Sequence, residues 1–273
     1  MSENVTLRID DNIATVTLNR PHKKNALTLD MLQNIADIGE SLKSKKTLRC
    51  IIIKGSSGTF SSGIDVMNFS TLSTDKNFLK SIMEPLKKKP YNKLQKPSMI
   101  WNEISVPVIA VLEGPVFGAG LQLALGADIR IASPNSLISI METKWGLIPD
   151  MGISQQLPRL INYDQALLLT LTSELIGAAE AKDIGLVTCC SENPYSASLN
   201  LAATLSTKSP DAIKYTKFLY NNAWKERSQK TLKLEAMLQT KLIGSPNQME
   251  AVLANMEKRT PKFDRVGKLN GKK

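Results

Sequence analysis

Two short apolar runs constrain the fold of this chain most, because each one leads directly into a glycine-rich turn. RCIIIKG (49–55) is followed by SSGTFSSGID, and PVIAVLEG (107–114) is followed by PVFGAG. Short runs rich in β-branched residues and bounded by turn residues are typical of buried strands. Glycine lets backbone N–H groups approach a ligand because no Cβ stands in the way. The two segments therefore predict buried strands whose ends can contact a bound molecule.

The first two thirds of the chain mix strand and helix patterns. Alternating residues predict a hairpin from VTLRID (5–10) and IATVTLN (12–18), and a helix is expected at 28–44 with Thr28 as its N-cap. Further strands are expected in DIRIAS, NSLISIM and LVTCC. Residues 66–104 are rich in lysine and interrupted by three prolines, which favours helices and loops over sheet.

The last third of the chain is helical in pattern. Residues 153–183 look helical, and so do 194–258, with breaks at Ser209-Pro210 and at 244–246. Mixed elements followed by helices predict an α/β core at 1–195 and a C-terminal helical region at 196–273.

Composition excludes several classes of function. The only histidine is His22, so a zinc site built on several histidines is excluded, and a Ser-His-Asp triad would need His22 in the loop RPHKKN. Cys50, Cys189 and Cys190 form no metal-ligand pattern and are expected to be reduced. We therefore expect no metal and assign any acid–base chemistry to carboxyl groups.

The N-terminal sequence bears on location. MSENVTLRIDDN has no basic segment followed by an apolar run, and no run of 18 apolar residues occurs in the chain. We therefore expect a cytoplasmic protein without a signal peptide, and no membrane partner.

The positive charge is concentrated in two segments. The net charge is +10, and residues 75–96 and 257–273 each carry seven basic and two acidic side chains. Basic segments attract anions such as nucleic acid, acidic lipid or a phosphorylated cofactor, although surface lysines also serve solubility alone.

Two acids in one apolar segment need an explanation. METKWGLIPDMG (141–152) places Glu142 and Asp150 among tryptophan, isoleucine, leucine and methionine. Burial of an unpaired charge costs several kcal/mol. Either both acids point into solvent, or they face a cavity in which their protons take part in chemistry. A tryptophan such as Trp145 is more often a core or interface residue, and we expect that here.

The two glycine-rich turns can act together. Each is expected to aim backbone N–H groups outward, and a helix N-terminus after the second turn adds unpaired donors. Two N–H groups aimed at one carbonyl oxygen form an oxyanion hole. GPVFGAG matches neither the GxGxxG pattern nor a Walker loop. Tight packing of the turns is the other interpretation.

Four motifs together resemble one family. NRPHKKNALT, TFSSGIDV, EGPVFGAGLQLALGADIRIAS and METKWGLIPDMG, in this order, resemble the crotonase (enoyl-CoA hydratase/isomerase) superfamily. The resemblance implies an α/β fold in which a spiral of ββα units forms two near-perpendicular sheets, followed by a C-terminal helical trimerisation region. It also implies a homotrimer or dimer of trimers. The implied substrates are acyl-CoA thioesters, with coenzyme A as part of the substrate and no separate cofactor.

The resemblance also implies site residues. The N–H groups of Ile64 and Ala119 match the oxyanion hole, although the family often has glycine in place of Ala119. By the same resemblance, the residues matched to CoA binding are Lys23, Lys24, Ser62, Gly63, Asp65, Gly118 and, from a neighbouring subunit, Lys258.

The catalytic residues point to a reaction. The family's hydratases use two glutamates, and the matching positions here hold Gln122 and Glu142. Gln122 cannot ionise and so cannot be a general base. Glu142 remains as the base, which resembles the simple enoyl-CoA isomerases. Asp150 matches an aspartate of the dienoyl-CoA isomerases and of the naphthoyl-CoA synthases, and is expected to be the second proton carrier. The other interpretation is that Asp150 caps a helix starting near Ser154 or binds a backbone N–H.

Several activities fit this family. Proton-transfer isomerisation of an enoyl- or dienoyl-CoA is favoured, and the alternative is hydration of a 2-enoyl-CoA. Hydrolysis of the thioester is a further alternative. An RNA-binding relative without catalysis is the last, but the sequence shows no aromatic stacking platform, so nucleic acid is not favoured.

Overall fold

The computed structural model describes residues 4–67, 75–223 and 228–262. Nine strands occur there: β1 Val5–Asp10, β2 Ile13–Leu18, β3 Cys50–Gly55, β4 Val108–Leu112, β5 Pro115–Phe117, β6 Ile129–Ala132, β7 Leu137–Ser139, β8 Ile176–Gly177 and β9 Cys189–Cys190. The first seven helices in these ranges are α1 Leu29–Lys43, α2 Lys76–Met83, α3 Lys96–Met99, α4 Ala119–Leu125, α5 Ile153–Gln156, α6 Tyr163–Thr172 and α7 Ala178–Asp183. Four more follow: α8 Pro194–Ser206, α9 Pro210–Ala223, α10 Ser228–Leu242 and α11 Pro246–Met256.

The strands form two sheets. The larger has the order β1-β2-β3-β4-β6-β9, in which only the β1–β2 hairpin is antiparallel. The smaller has the order β5-β7-β8. Helices and a mixed sheet together confirm the predicted α/β class. Within the described residues, no helix is both long and apolar enough to span a bilayer.

The central strands are buried on both faces, as parallel strands usually are. Ile51 and Ile53 of β3 point into the main core, with Phe60, Trp101 and Leu112. Residues of opposite parity along β3 and β4, such as Ile52 and Ile109, pack in a second cluster with Ala202 of α8. This alternation follows from the period of two in a strand, and it places a helix on one face of the sheet.

The N-terminal predictions are confirmed. The hairpin and the strand at β3 lie where the patterns placed them, and the Thr28 side chain accepts a hydrogen bond from Met31 N at the start of α1. A threonine at the N-cap satisfies one of the unpaired N–H groups of the first turn.

The prediction of continuous helix at 153–183 is wrong. Helix α6 ends at Thr172, the next residue Ser173 has a left-handed φ of 55°, and the chain then forms β8. Ile176 pairs with Ile138 of β7 in antiparallel register. Pairing with a distant strand therefore overrides the helical pattern of this segment.

Candidate active site

An apolar cavity of about 130 Å³ lies where the ends of several elements meet. Its polar lining includes Gln122, Glu142, Asp150 and Gln239. The apolar part of its lining comes from separate parts of the chain and includes Leu29, Leu32, Val66, Met83, Leu94, Trp145, Leu147 and Ile243. A concave, mostly apolar pocket with a few converging polar groups is the usual form of a small-molecule site.

The two glycine-rich turns lie side by side at this cavity. Ser61 N donates to Pro115 O and Phe117 N donates to Ser61 O, both at 3.0 Å, so the turn after β3 runs parallel to β5. On its other side, the same turn pairs with Leu27, whose N–H donates to Gly63 O at 2.8 Å. These hydrogen bonds hold both turns in one arrangement.

Glycine is required at the two residues that precede the expected donors. Gly63 has φ +102° and Gly118 has φ +48°. A Cβ on Gly63 would lie 3.1 Å from Phe117 O, and one on Gly118 would lie 3.2 Å from Glu142 Oε1. A residue with a side chain would strain the backbone and crowd the site.

The N–H groups of Ile64 and Ala119 follow these glycines. Both residues line the cavity, and Ala119 is the first residue of α4. Among the described residues, neither N–H donates to any acceptor. Two unpaired donors at one cavity can stabilise negative charge on an oxygen bound there.

Glu142 begins a 3₁₀ turn, Glu142–Trp145, and its side chain is buried. Gln122 Nε2 donates to Glu142 Oε1 at 2.7 Å, whereas Glu142 Oε2 has no partner among the described residues. Burial raises the pKa of Glu142 to about 7, against the hydrogen bond from Gln122, which lowers it. A carboxyl group with this pKa can accept and release a proton near neutral pH.

Asp150 is also buried, and its Oδ2 has no partner among the described residues. Burial raises the pKa of Asp150 well above its usual range, and the negative charges of Glu235 and Glu142 raise it further. The carboxyl group of Asp150 is therefore held toward its protonated form. The two acids of METKWGLIPDMG both face the cavity rather than solvent.

The alternative of Asp150 as a helix cap is wrong. The N-cap of α5 is Gly152, which has no side chain and so cannot cap the helix itself. Glu235 of α10 takes the free N–H groups instead, accepting from Gly152 N at 3.0 Å and from Ser154 N at 2.8 Å. A carboxylate at a helix N-terminus is favourable both as an acceptor and through the helix dipole.

Sequence reasoning missed two residues of the site, Glu235 and Gln239. They lie one turn apart on α10 and are both buried. Gln239 lines the cavity and accepts from Ile148 N at 3.1 Å. In the sequence they are ordinary polar residues of a helix, and the one available signal was their spacing of four, which puts them on one face.

Comparisons with known proteins identify the family. The family model of enoyl-CoA hydratase/isomerase matches residues 8–266. The chain belongs to the enoyl-CoA hydratase/isomerase family.

Relatives within the enoyl-CoA hydratase/isomerase family include different enzymes. The peroxisomal Delta(3,5)-Delta(2,4)-dienoyl-CoA isomerase of Arabidopsis thaliana is 30% identical, over 94% of this chain and 94% of the relative. The mitochondrial methylglutaconyl-CoA hydratase of Mus musculus is 29% identical, over 92% of this chain and 79% of the relative. A crystal structure of an enoyl-CoA hydratase from Mycobacterium avium subsp. paratuberculosis has a TM-score of 0.83, with 27% identity over 96% of this chain and 99% of that chain.

The residues that the family resemblance matches to CoA binding lie in two places. Ser62, Gly63 and Gly118 line the cavity. Lys23 and Lys24 are exposed beside it, since Ser62 N donates to Lys24 O at 3.0 Å.

Two further residues of this set lie outside the cavity lining. The Asp65 carboxylate is 2.6 Å from Arg20 Nη1 and also accepts from Met67 N, so it holds the turn in place. Lys258 is exposed and follows the end of α11.

Trp145, expected in the core or at an interface, does not lie in the core. It is half-buried and lines the same cavity as the two acids. The left-handed Gly146 that follows it, with φ +69°, ends the 3₁₀ turn and lets the chain change direction toward Asp150.

Proposed function

We propose that this protein is an isomerase that moves a double bond along the acyl chain of an unsaturated acyl-CoA. One observation carries the proposal: Glu142 Oε2 and Asp150 Oδ2 are both buried, unpaired among the described residues and part of one apolar cavity. Two carboxyl groups at one acyl pocket can remove a proton at one carbon and supply a proton at another.

The steps balance as follows. The Glu142 carboxylate takes a proton from the α-carbon of a 3,5-dienoyl thioester, and the electron pair moves onto the thioester oxygen. The N–H groups of Ile64 and Ala119 stabilise that oxygen, an interaction that is typically worth about 3–4 kcal/mol per donor. Asp150 then gives its proton to the far carbon of the trienolate, and a 2,4-dienoyl thioester results. Glu142 has gained one proton and Asp150 has lost one, and exchange with solvent restores both.

A 3-enoyl-CoA needs only one of these acids. Its two reacting carbons are close together, so Glu142 can take the proton from one and return it to the other. Asp150 is then a neutral wall of the pocket. The two substrates therefore separate the roles of the two acids.

Hydration is the second candidate, because the relative from Mus musculus is named as a hydratase. The residue matched to one of the two glutamates of the hydratases, Gln122, argues against hydration. Gln122 Nε2 lies 2.7 Å from Glu142 Oε1, so no water fits between these two atoms, and Gln122 has no ionisable group. The amide holds Glu142 in place instead of activating a water.

The family resemblance supports two further inferences, on the CoA part of the substrate and on the assembly. We infer that the exposed Lys23 and Lys24 contact the CoA phosphates. Lys258, outside the cavity lining of its own chain, is inferred to reach the site of a neighbouring subunit in a homotrimer or dimer of trimers. Light scattering measures the assembly directly.

Mass and absorbance measurements on three substrates test the proposed reaction. Wild type, E142Q and D150N are each assayed on crotonyl-CoA, a 3-enoyl-CoA and a 3,5-dienoyl-CoA. An absorbance change at constant mass shows isomerisation. The proposal is supported if E142Q loses this change on the 3-enoyl and the 3,5-dienoyl substrate, and if D150N loses it only on the 3,5-dienoyl substrate. A mass gain of one water on crotonyl-CoA that E142Q loses shows a hydratase, and release of free CoA thiol shows a thioesterase.

A further inference from the structure

Two residues of α10 hold both sides of the loop that carries Asp150. Gln239 Oε1 accepts from Ile148 N at 3.1 Å, two residues before the aspartate. Glu235 accepts from Gly152 N and Ser154 N, two and four residues after it. Since positions four apart share one face of a helix, a single face of α10 fixes the loop from 148 to 154.

Burial raises the pKa of Glu235, whereas the hydrogen bonds that its carboxyl group accepts favour the ionised form. It is 6% exposed, and Gln95 Nε2 donates to its Oε2 at 3.2 Å in addition to the two backbone donors. Its oxygens act as acceptors in each of these hydrogen bonds, which is the pattern of a carboxylate and not of a carboxylic acid. In its ionised form, Glu235 places a buried negative charge close enough to raise the pKa of Asp150.

Gln239 and Glu235 shift the pKa of Asp150 in opposite directions. A hydrogen bond from the Gln239 side chain to Asp150 favours the ionised carboxylate and lowers the pKa of Asp150. The charge of Glu235 disfavours that form and raises the same pKa. Glu142 also raises the pKa of Asp150 through its charge, and the residue that faces the loop from α4 is the neutral Gln122.

We propose that Glu235 and Gln239 are positioning residues that hold the Asp150 carboxyl group at the cavity and set its protonation state in opposite directions. This inference rests on the proposed role of Asp150 as the second proton carrier. Glu235 keeps the acid protonated so that it can give up a proton, and Gln239 stabilises the carboxylate left after transfer. Neither residue touches the reacting carbons.

The test uses E235Q and Q239M, with E192Q as a control because Glu192 is an exposed glutamate outside the cavity lining. Infrared spectroscopy follows the C=O stretch of the protonated Asp150 carboxyl against pH, and D150N assigns the band. E235Q is expected to move the midpoint of this titration down by about one pH unit, because it removes a like charge. Q239M is expected to move the midpoint up, because it removes a donor to the carboxylate.

Both variants loosen the same loop, so a purely structural role predicts similar effects from both. Opposite shifts support the inference; unchanged midpoints, or shifts in one direction, overturn it. The alkaline limb of dienoyl-CoA turnover should move with the infrared midpoint, while the pH profile on a 3-enoyl-CoA and the behaviour of E192Q stay unchanged. If E235Q fails to fold, E235A takes its place, and Q239L replaces Q239M in the same way, so that the two signs can still be compared.

The infrared measurement needs no substrate, so it separates this inference from the proposed function. Opposite midpoint shifts in a protein that turns over none of the three acyl-CoA substrates would reject the isomerase proposal alone. Isomerisation that depends on Asp150 without opposite shifts would reject the positioning roles alone.

Discussion

The side chain of Gln122 joins the two acidic segments of the cavity. Its Nε2 donates to Glu142 Oε1 at 2.7 Å, and its Oε1 accepts from Met151 N at 2.8 Å, next to Asp150. One neutral amide on α4 therefore fixes the position of Glu142 and of the loop after it. An ionisable side chain at this place would add a second charge and remove a donor, so the amide favours a site with a single strong base.

Glu142→Gln is expected to reduce isomerisation of both a 3-enoyl-CoA and a 3,5-dienoyl-CoA by about 10²–10⁴-fold, because the general base is lost. Substrate binding should change little, since the amide has nearly the same shape. Stopped-flow absorbance measures the rate, and isothermal titration with a saturated acyl-CoA measures binding. Full activity in this variant would reject Glu142 as the base, and E192Q serves as the control.

The pH dependence of kcat/KM should show the raised pKa of Glu142. The base acts as a carboxylate, so activity is expected to fall as the pH drops through about 7 and not near the usual 4.5. Rates on a 3-enoyl-CoA show this acid limb of the pH profile alone, because Asp150 is not needed for that substrate. A limb near 4.5 would mean that the burial of Glu142 does not persist in solution.

Glu142→Gln should also stabilise the protein above neutral pH. In the folded state the pKa of Glu142 is about 7, so the folded protein binds this proton more tightly than the unfolded chain does. The free energy of unfolding therefore falls as pH rises from about 4.5 to 7. The free energy of unfolding of the variant does not fall in this way, so above neutral pH it should exceed that of wild type by on the order of 1–3 kcal/mol.

Thermal or urea unfolding at about pH 5 and pH 8 measures that gain. The difference between variant and wild type should be small at the lower pH and larger at the higher pH. A difference that does not change with pH would contradict the assigned cause, because a packing effect does not titrate.

Gln122→Glu places a second carboxyl group 2.7 Å from Glu142 Oε1. Two like charges at that distance cannot both ionise, so the pair should share one proton and the acid limb of isomerisation should move to higher pH. With two acids, addition of water to crotonyl-CoA should increase over wild type, as mass spectrometry would detect. Gln122→Ala is the matched control, which loses the amide without adding an acid.

Gly118→Ala should damage catalysis more than folding. The new Cβ would lie 3.2 Å from Glu142 Oε1 in a backbone with φ +48°, next to the Ala119 donor. We expect kcat to fall by about 10²–10³-fold, as for loss of one oxyanion donor. Gly58→Ala is the control, because Gly58 has φ +65° but no heavy atom within 4 Å of its Cβ position. It shares the backbone strain without the crowding, so equal losses of activity would contradict the prediction.

The sequence by itself determined the local elements and the motifs that line the site. Hydrophobic alternation, the Thr28 cap and the glycine-rich turns are properties of neighbouring residues, so local patterns were enough to predict them. The order of four motifs was enough to predict that Glu142, Asp150 and Gln122 lie together, and all three line one cavity.

Only the tertiary structure decided how those residues are held and protonated. Glu235 meets the Asp150 loop from 85 positions away in the chain, and Ile176 leaves a helical pattern to pair with Ile138. Burial and long-range charge set the pKa of both acids, and neither quantity is a function of local sequence. The sequence names the acids at the cavity, and the fold determines which of them holds a proton.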